Sequence, residues 1–381
     1  MSGEKMKLGL LITSIGDFGK KGFYNAQEIG LAKELDKLFN EIVIYKLIPR
    51  TEKFLSEKVT GCNRTTLNLI PARKLGNNGF FDVDRMDKNI DVLVYFCDTQ
   101  LMVTKVHQWC KKNKIKFVPY IGVVESHSNN KIKKAIINKM FSRNIAIYKK
   151  CTCMVKTPEV KVKLQQHDVT NCRIAPVGLD LSIMHTEYSE TSVSGIKKRW
   201  GFENNDRVLL FIGRLVPEKQ PIKLIEIFEQ IYKRDPSYKL LIVGTGDLRN
   251  EIESQISRKH LRGSVKIVDK VPNRDIWELY KISKAFINLN QKEIFGMAIL
   301  EAMYYKCKVV AWEAPGPNFI IEDGLNGVLC KSNIEIIDAV MTNDDEIGIA
   351  SHNRVINEFT WKKTAKVLYE IVKENSMEMT C

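Results

Sequence analysis

The chain has 381 residues, 44% of them hydrophobic and 27% charged, and carries 59 Lys and Arg against 45 Asp and Glu. That length fits two domains of roughly 150–190 residues, each with its own core, and with no run of 18 apolar residues a spanning helix is excluded. The basic excess is uneven: residues 1–195 hold 31 basic and 19 acidic side chains, residues 196–381 hold 28 and 26. The start, MSGEKMKLGLLITSIGDFG, reads as a first strand and not as a secretion signal. The nine cysteines are then expected as free thiols in a reducing cytoplasm, and Cys151-Thr-Cys153 has no second pair with which to form a zinc site.

The N-terminal half alternates short apolar strands with helical patterns. Strands are predicted at 7–13, 41–46, 91–97, 116–124 and 152–156, with helices such as 24–38 and 101–113 between them, an alternation that argues for parallel βαβ units. Gly16-Asp17-Phe18-Gly19-Lys20-Lys21-Gly22 follows the first strand, and Gly19 and Gly22 would let backbone approach a phosphate or acceptor closely; a plain flexible loop reads the same way. Asp82-Val83-Asp84 spells the D-x-D string of metal-dependent transferases, but it stands in a loop before a helix and reads as capping or surface charge. Asp98, at a strand end, is a cleft candidate. Residues 101–150 contain 12 basic side chains and a single acid, Glu125. Within them Lys131–Lys150 reads as a basic helix whose Ile132, Ile136, Ile137, Met140 and Phe141 share a face, a pattern suited either to an anionic membrane surface or to an ordinary core contact. Thr157-Pro158 is a helix start, a Thr N-cap with Pro at the first helical position.

A polar stretch at 186–195 reads as a linker. Beyond it strands are predicted at 208–212, 239–243, 265–268, 285–289 and 308–311, and helices at 221–234, 247–258, 274–282 and 296–306. The expected fold is α/β, with two Rossmann-like doubly wound domains facing each other across a cleft and ligands at the strand C-termini. Glu293 and Glu301 stand where an apolar strand gives way to an apolar helix, roughly 8–12 Å apart along its axis. A ligand along that N-terminus could place phosphates on free N–H groups, with a carboxylate holding hydroxyls at each end. A nucleotide-sugar has this layout, although the spacing alone also suits an ordinary strand–helix unit.

The neighbours of the two glutamates narrow the choice. Glu293-Ile294-Phe295-Gly296-Met297-Ala298-Ile299-Leu300-Glu301-Ala302 resembles the E-G-F-G-x-x-x-x-E-A donor motif of retaining GT-B glycosyltransferases of family four, glycosyl transferases group 1, with Ile294 in place of glycine. Phe211-Ile212-Gly213-Arg214 through Lys219 resembles the family's G-R-x-x-x-x-K-G segment, with Gln220 in place of the last glycine. Val243-Gly244-Thr245-Gly246 resembles its V-G-x-G turn, Lys270-Val271-Pro272 its base-pocket stretch, and Pro176-Val177-Gly178-Leu179-Asp180 its P-N-G-V-D. Pro315-Gly316-Pro317-Asn318 departs from the common G-G-x-x-E.

The resemblance implies domains at 1–187 (acceptor side) and 196–360 (donor side), a linker at 188–195 and a terminal helix, 361–381, crossing back to the first domain. It implies a metal-independent enzyme, with no cofactor, that moves a sugar with retention from a nucleotide-sugar, a UDP-sugar being the expected donor, to a glycan, lipid-linked or small-molecule acceptor in cell-surface polysaccharide or glycoconjugate synthesis. In that scheme Glu293 holds sugar hydroxyls and Glu301 the ribose. Arg214 and Lys219 neutralise the pyrophosphate, helped by backbone at Gly296, Met297 and Ala298. Gly213, Gly244 and Val271 flank the nucleotide, and Phe295 shapes the pocket. The family's acceptor-side histidine has two counterparts here, Glu125 and His127. The protein is expected in the cytoplasm, in peripheral contact with the inner face of the membrane through Lys131–Lys150, and without a nucleic-acid partner. Two other readings stay open. One is a sugar-nucleotide epimerase on the same fold, against which the Glu-x7-Glu context argues. The other is a basic non-catalytic protein that binds nucleic acid or serves as a partner subunit, against which the missing nucleic-acid motif and the intact Glu293, Glu301, Arg214 and Lys219 argue.

Overall fold

A computed structural model describes residues 6–15, 27–75, 78–97, 101–124, 131–184, 192–344 and 346–378; at 131, 133, 134, 137 and 375–378 the description covers the backbone alone. The chain divides into two compact units. One runs to Asp180 and resumes at Thr360, and the other is Leu181–Phe359.

The first unit is built on strands β1 (Lys7–Ile12), β2 (Glu41–Pro49), β3 (Leu55–Lys58), β4 (Thr65–Leu75), β5 (Asn78–Phe80), β6 (Val92–Phe96), β7 (Lys116–Ile121), β8 (Cys153–Val155) and β9 (Cys172–Ile174). They pair in the order β3-β4-β2-β1-β6-β7-β8-β9, with β5 on β4. The central strands are parallel and apolar: β1 pairs with β2 and β6, and Val92–Phe96 is buried throughout. Burial on both faces is what a parallel strand between helix layers requires, and it is why these segments read as continuous apolar runs. Helices α1 (Gln27–Leu35), α2 (Val103–Lys112), α3 (Lys131–Tyr148) and α4 (Pro158–Gln165) lie between the strands in sequence. As predicted, Thr157 caps α4, its side chain accepting from Val160 N at 3.3 Å.

Three strands between residues 50 and 80 escaped the sequence reading. β4 is TTLNLIPARKL, interrupted by Pro71 and ending in charge, and most of it is half-buried or exposed. It lacks the apolar run that marks the interior strands because it lies towards the sheet edge, where β3 and β5 join it antiparallel. The predicted apolar stripe of α3 also divides. Phe141 is buried in the core, whereas Ile132 and Ile136 are 73% and 53% exposed.

The second unit carries α5 (Val193–Arg199), β10 (Arg207–Ile212), α6 (Pro221–Arg234), β11 (Tyr238–Val243), α7 (Arg249–Arg258), β12 (Val265–Val268), α8 (Ile276–Ile282), β13 (Ser283–Asn288), α9 (Met297–Tyr304), β14 (Lys308–Trp312), α10 (Pro315–Ile320), β15 (Val328–Cys330), α11 (Asn333–Met341) and α12 (Glu346–Glu358). Its sheet is parallel throughout, in the order β12-β11-β10-β13-β14-β15. Residues 192–195, expected as the end of a linker, form the start of α5 instead: Ser192 caps it, accepting from Gly195 N at 3.1 Å. A serine that reads as linker chemistry is also an N-cap, and only the apolar contact of the buried Ile196 decides between them.

The closing helix α13 (Trp361–Glu378) belongs to the first unit. Trp361 is 2% exposed. A Cβ on Gly30 would lie 2.3 Å from its ring nitrogen, and one on Gly178 would lie 2.2 Å from its backbone N. The glycine of Pro176-Val177-Gly178 is therefore demanded by the start of this helix.

Candidate functional site

In the second unit the chain proceeds outward from β10 to β11 and β12, then returns to the other side of β10 for β13, β14 and β15. The loops that leave β10 and β13 thus diverge at a topological switch point, the place where open parallel sheets bind ligands. These are the loops that carry Gly213–Gln220 and Leu289–Gly296.

The two loops are joined by an ion pair. Lys219 Nζ donates to Glu293 Oε2 at 2.6 Å, with the two side chains 22% and 16% exposed. The same oxygen accepts from Asn290 Nδ2 at 3.1 Å and, at longer range, from Asn288 Nδ2 at 3.5 Å. Among the described residues Oε1 accepts no hydrogen bond, so the carboxylate keeps one oxygen for a ligand. Lys219 ends a single 3-10 turn, Pro217–Lys219, after which Gln220 takes the left-handed conformation, φ 53°. That conformation favours glycine. Gln220 offsets it by donating from Nε2 to Leu289 O at 2.7 Å, tying the first loop to the end of β13. Arg214 is exposed on the same loop and forms no ion pair among the described residues.

Glycines set the loop backbones against one another. Gly244 has φ 153°, and a Cβ on it would lie 1.8 Å from Gly213 O; Gly213 N in turn donates to Val243 O at 3.0 Å. The V-G-x-G turn therefore exists to let the loop after β11 pack on the Gly213 loop. Gly316 donates from N to Glu293 O at 2.8 Å, and a Cβ there would lie 2.2 Å from Phe295 O. The Pro315-Gly316-Pro317 start of α10 thus holds the Glu293 segment in place. Phe295 is 8% exposed and meets Phe319 and Phe359 edge-on, at 6.4 and 6.3 Å between ring centroids. Gly296, φ 103°, caps α9, and the first N–H groups of that helix, at Met297 and Ala298, have no intrahelical acceptor.

Glu301 lies in the second turn of α9 and is 6% exposed. Tyr280 donates its hydroxyl to Glu301 Oε2 at 3.0 Å. Burial pushes the carboxyl up to about 7, with the tyrosine bond pulling the other way. Tyr280 itself stacks on Tyr305, centroids 5.8 Å apart. Val271 is buried between β12 and α8.

The structure thus brings Lys219 and Glu293 together and sets Gly213 against Gly244, while Gly19, Gly22, Asp98, Glu125 and His127 lie outside the described residues. Asp82 and Asp84 have local partners. Asp82 caps the turn Val83–Arg85, and Asp84 pairs with Lys88 at 3.1 Å. Asn290, Asn288 and Tyr280 were missed by the sequence reading. Two amides flanking the end of an apolar strand were the available signal for the asparagines; Tyr280 lies within a helical pattern that looks like core.

Residues 193–347 match the model of the family described as glycosyl transferases group 1. That segment is thus similar to a group 1 glycosyl transferase domain. The matched segment takes in both glutamates, Arg214 and Lys219. Among curated relatives, the alpha-monoglucosyldiacylglycerol synthase of Acholeplasma laidlawii is 23% identical over 216 residues, 54% of each chain. The poly(ribitol-phosphate) alpha-N-acetylglucosaminyltransferase of Staphylococcus aureus is 30% identical over 166 residues, 41% of this chain and 33% of that one. The chain spans about half the length, or less, of such relatives. Among solved structures, Anabaena HepE in complex with UDP has a TM-score of 0.73 at 15% identity, covering 97% of this chain and 100% of its own. Sucrose-phosphate synthase of Thermosynechococcus elongatus has a TM-score of 0.74 at 14% identity, covering 98% and 100%. Likeness at this level of identity shows the fold, which is GT-B with two Rossmann-like domains, as expected.

Proposed function

We propose that the protein is a retaining glycosyltransferase that uses a nucleotide-sugar, most directly a UDP-sugar, and needs no metal. The observation that carries this reading is the Lys219–Glu293 pair at the switch point beside the N-terminus of α9, with Glu293 Oε1 open to a ligand hydroxyl. The donor sugar hydroxyls bind Glu293. The pyrophosphate lies against Lys219, Arg214 and the Met297 and Ala298 N–H groups, and the ribose reaches Glu301. Cations and helix N–H groups so placed stabilise the charge that builds on the leaving diphosphate, which is the task a metal performs elsewhere. The bond from the anomeric carbon to the phosphate oxygen breaks as the acceptor oxygen bonds to that carbon from the same face. The acceptor proton passes to the departing phosphate oxygen.

UDP complexes among the structural neighbours support the donor, and relatives named for diacylglycerol and ribitol-phosphate acceptors support a glycan or lipid-linked acceptor. Peripheral membrane contact is part of the proposal: Ile132 and Ile136, one helical turn apart, are exposed beside Lys139 and Arg143. No helix among the described residues is long and apolar enough to cross a membrane. The test is nucleoside-diphosphate release from a panel of nucleotide-sugars, followed by proton NMR of the product. Retention and insensitivity to EDTA are expected. An inverted anomeric centre, or activity lost in EDTA and restored by magnesium, would contradict the proposal.

A further inference from the structure

A second basic pocket lies wholly within the first unit, at the end of the sheet where β2 and the chain after β6 emerge. Its volume is roughly 460 Å³, and Arg50, Arg73, Arg85 and Lys105 line it over a floor that includes Ala72 and Met102. The parallel register of β2 and β4 runs from Ile42↔Thr65 to Pro49↔Ala72. Arg50 opens the turn that follows the last paired residue of β2, and Arg73 follows its partner Ala72 on β4. All three arginines are exposed, and Arg50, Arg73 and Arg85 form no ion pair among the described residues. The one acid lining the pocket, Asp82, accepts from Asp84 N at 3.2 Å. Lys105 rises from the first turn of α2, which has no acidic side chain in that turn and no side-chain cap, so the helix N-terminus adds positive potential on the same side.

We propose that this pocket holds a phosphate group of the acceptor, so that the acceptor is a phosphate ester. The inference rests on the glycosyltransferase reading above and names the substrate class for its acceptor side. Guanidinium forks lining one pocket suit the oxygens of a phosphate bidentately, which a lysine pair would not do. The buried Ala72 and Met102 provide an apolar surface for the carbon skeleton attached to it.

The test compares wild type with the double variant Arg50→Gln/Arg73→Gln, using glycerol 3-phosphate against glycerol, phosphatidylglycerol vesicles against phosphatidylcholine vesicles, and UDP. Wild type is expected to bind a phosphate-bearing probe at least tenfold more tightly than the double variant, with UDP binding equal in the two. Both arginines are exposed and form no ion pair among the described residues, so the variant should melt no lower than wild type. Glycerol 3-phosphate binding identifies a soluble phosphate ester; binding to phosphatidylglycerol vesicles alone, weakened in the variant with Ile132 and Ile136 intact, identifies a lipid headgroup. A wild type that binds UDP but neither phosphate probe, or a variant that binds them as tightly as wild type, overturns the proposal. A wild type that binds the probe but no nucleotide would refute the glycosyltransferase reading and leave the phosphate site standing.

Discussion

Lys219 Nζ lies 2.6 Å from Glu293 Oε2 and so joins the loops that leave β10 and β13. The contact links residues 74 positions apart, and on the proposed function it sets a cation for the leaving diphosphate beside a carboxylate for the sugar. Replacing Lys219 by alanine, or Arg214 by alanine, is expected to lower kcat/KM at least a hundredfold. That corresponds to about 3 kcal/mol of transition-state stabilisation, within the range for one electrostatic contact. Steady-state kinetics on both variants check this; near-normal kcat/KM in both would remove them from the site.

Glu301 gives a pH signature. Its carboxyl sits at about 7 in the fold, above its ordinary value of 4.5, so between those pH values the folded protein binds more protons than the unfolded chain. Stability therefore falls as pH rises through that window, and the penalty is fully present above it. Glu301→Gln keeps an acceptor for the Tyr280 hydroxyl and removes the penalty. Thermal melts should show the variant gaining stability over wild type by up to about 3 kcal/mol at pH 8, with the gain shrinking towards pH 5. A pH-independent difference would mean that the carboxyl is not held up by burial.

Gln220 separates strain from bonding. Gln220→Ala keeps the left-handed backbone and loses the bond to Leu289 O, a cost of about 1–2 kcal/mol. Gln220→Gly loses the bond but relieves the strain by about 1 kcal/mol, so it should be nearly neutral. Denaturant unfolding of the two variants distinguishes them, and equal losses would contradict the account.

Gly316→Ala tests the support behind Glu293. The added methyl would lie 2.2 Å from Phe295 O, so the Glu293 loop must move. The expectation is a fall in kcat/KM of at least tenfold, out of proportion to the fall in melting temperature, because Gly316 touches no reacting group. Unchanged kinetics would show that the loop tolerates the shift.

Ile132→Glu/Ile136→Glu tests the membrane contact. Both side chains are exposed, so folding should be unaffected while co-sedimentation with anionic vesicles is lost. Retained binding would place the contact elsewhere, and absence of binding by wild type at low salt would end this part of the proposal.

Much of the second unit could be read from its sequence because its parallel strands are buried on both faces and announce themselves as apolar runs. β12, Val265–Val268, and α6, Pro221–Arg234, have the predicted bounds. Glu293, Glu301, Arg214 and Lys219 stood out through the motifs they resemble, because the spacing of the two glutamates alone also suits an ordinary strand–helix unit. Strand β4 was illegible because pairing with β2 and β3, and not apolar pattern, makes it a strand. Tyr280 was illegible because its bond to Glu301 crosses from α8 to α9, a contact that only the packed sheet creates. The tasks of Gly178, Gly244 and Gly316 were hidden for the same reason, since each answers a backbone that approaches from elsewhere in the chain.

The most direct test of the central claim is calorimetric titration of UDP, GDP and ADP into wild type and Glu301→Gln. Selective binding of one nucleotide by wild type, UDP being expected, with at least tenfold weaker binding by the variant, is the predicted result. No binding of any of the three by wild type would contradict it and return the protein to a non-catalytic reading.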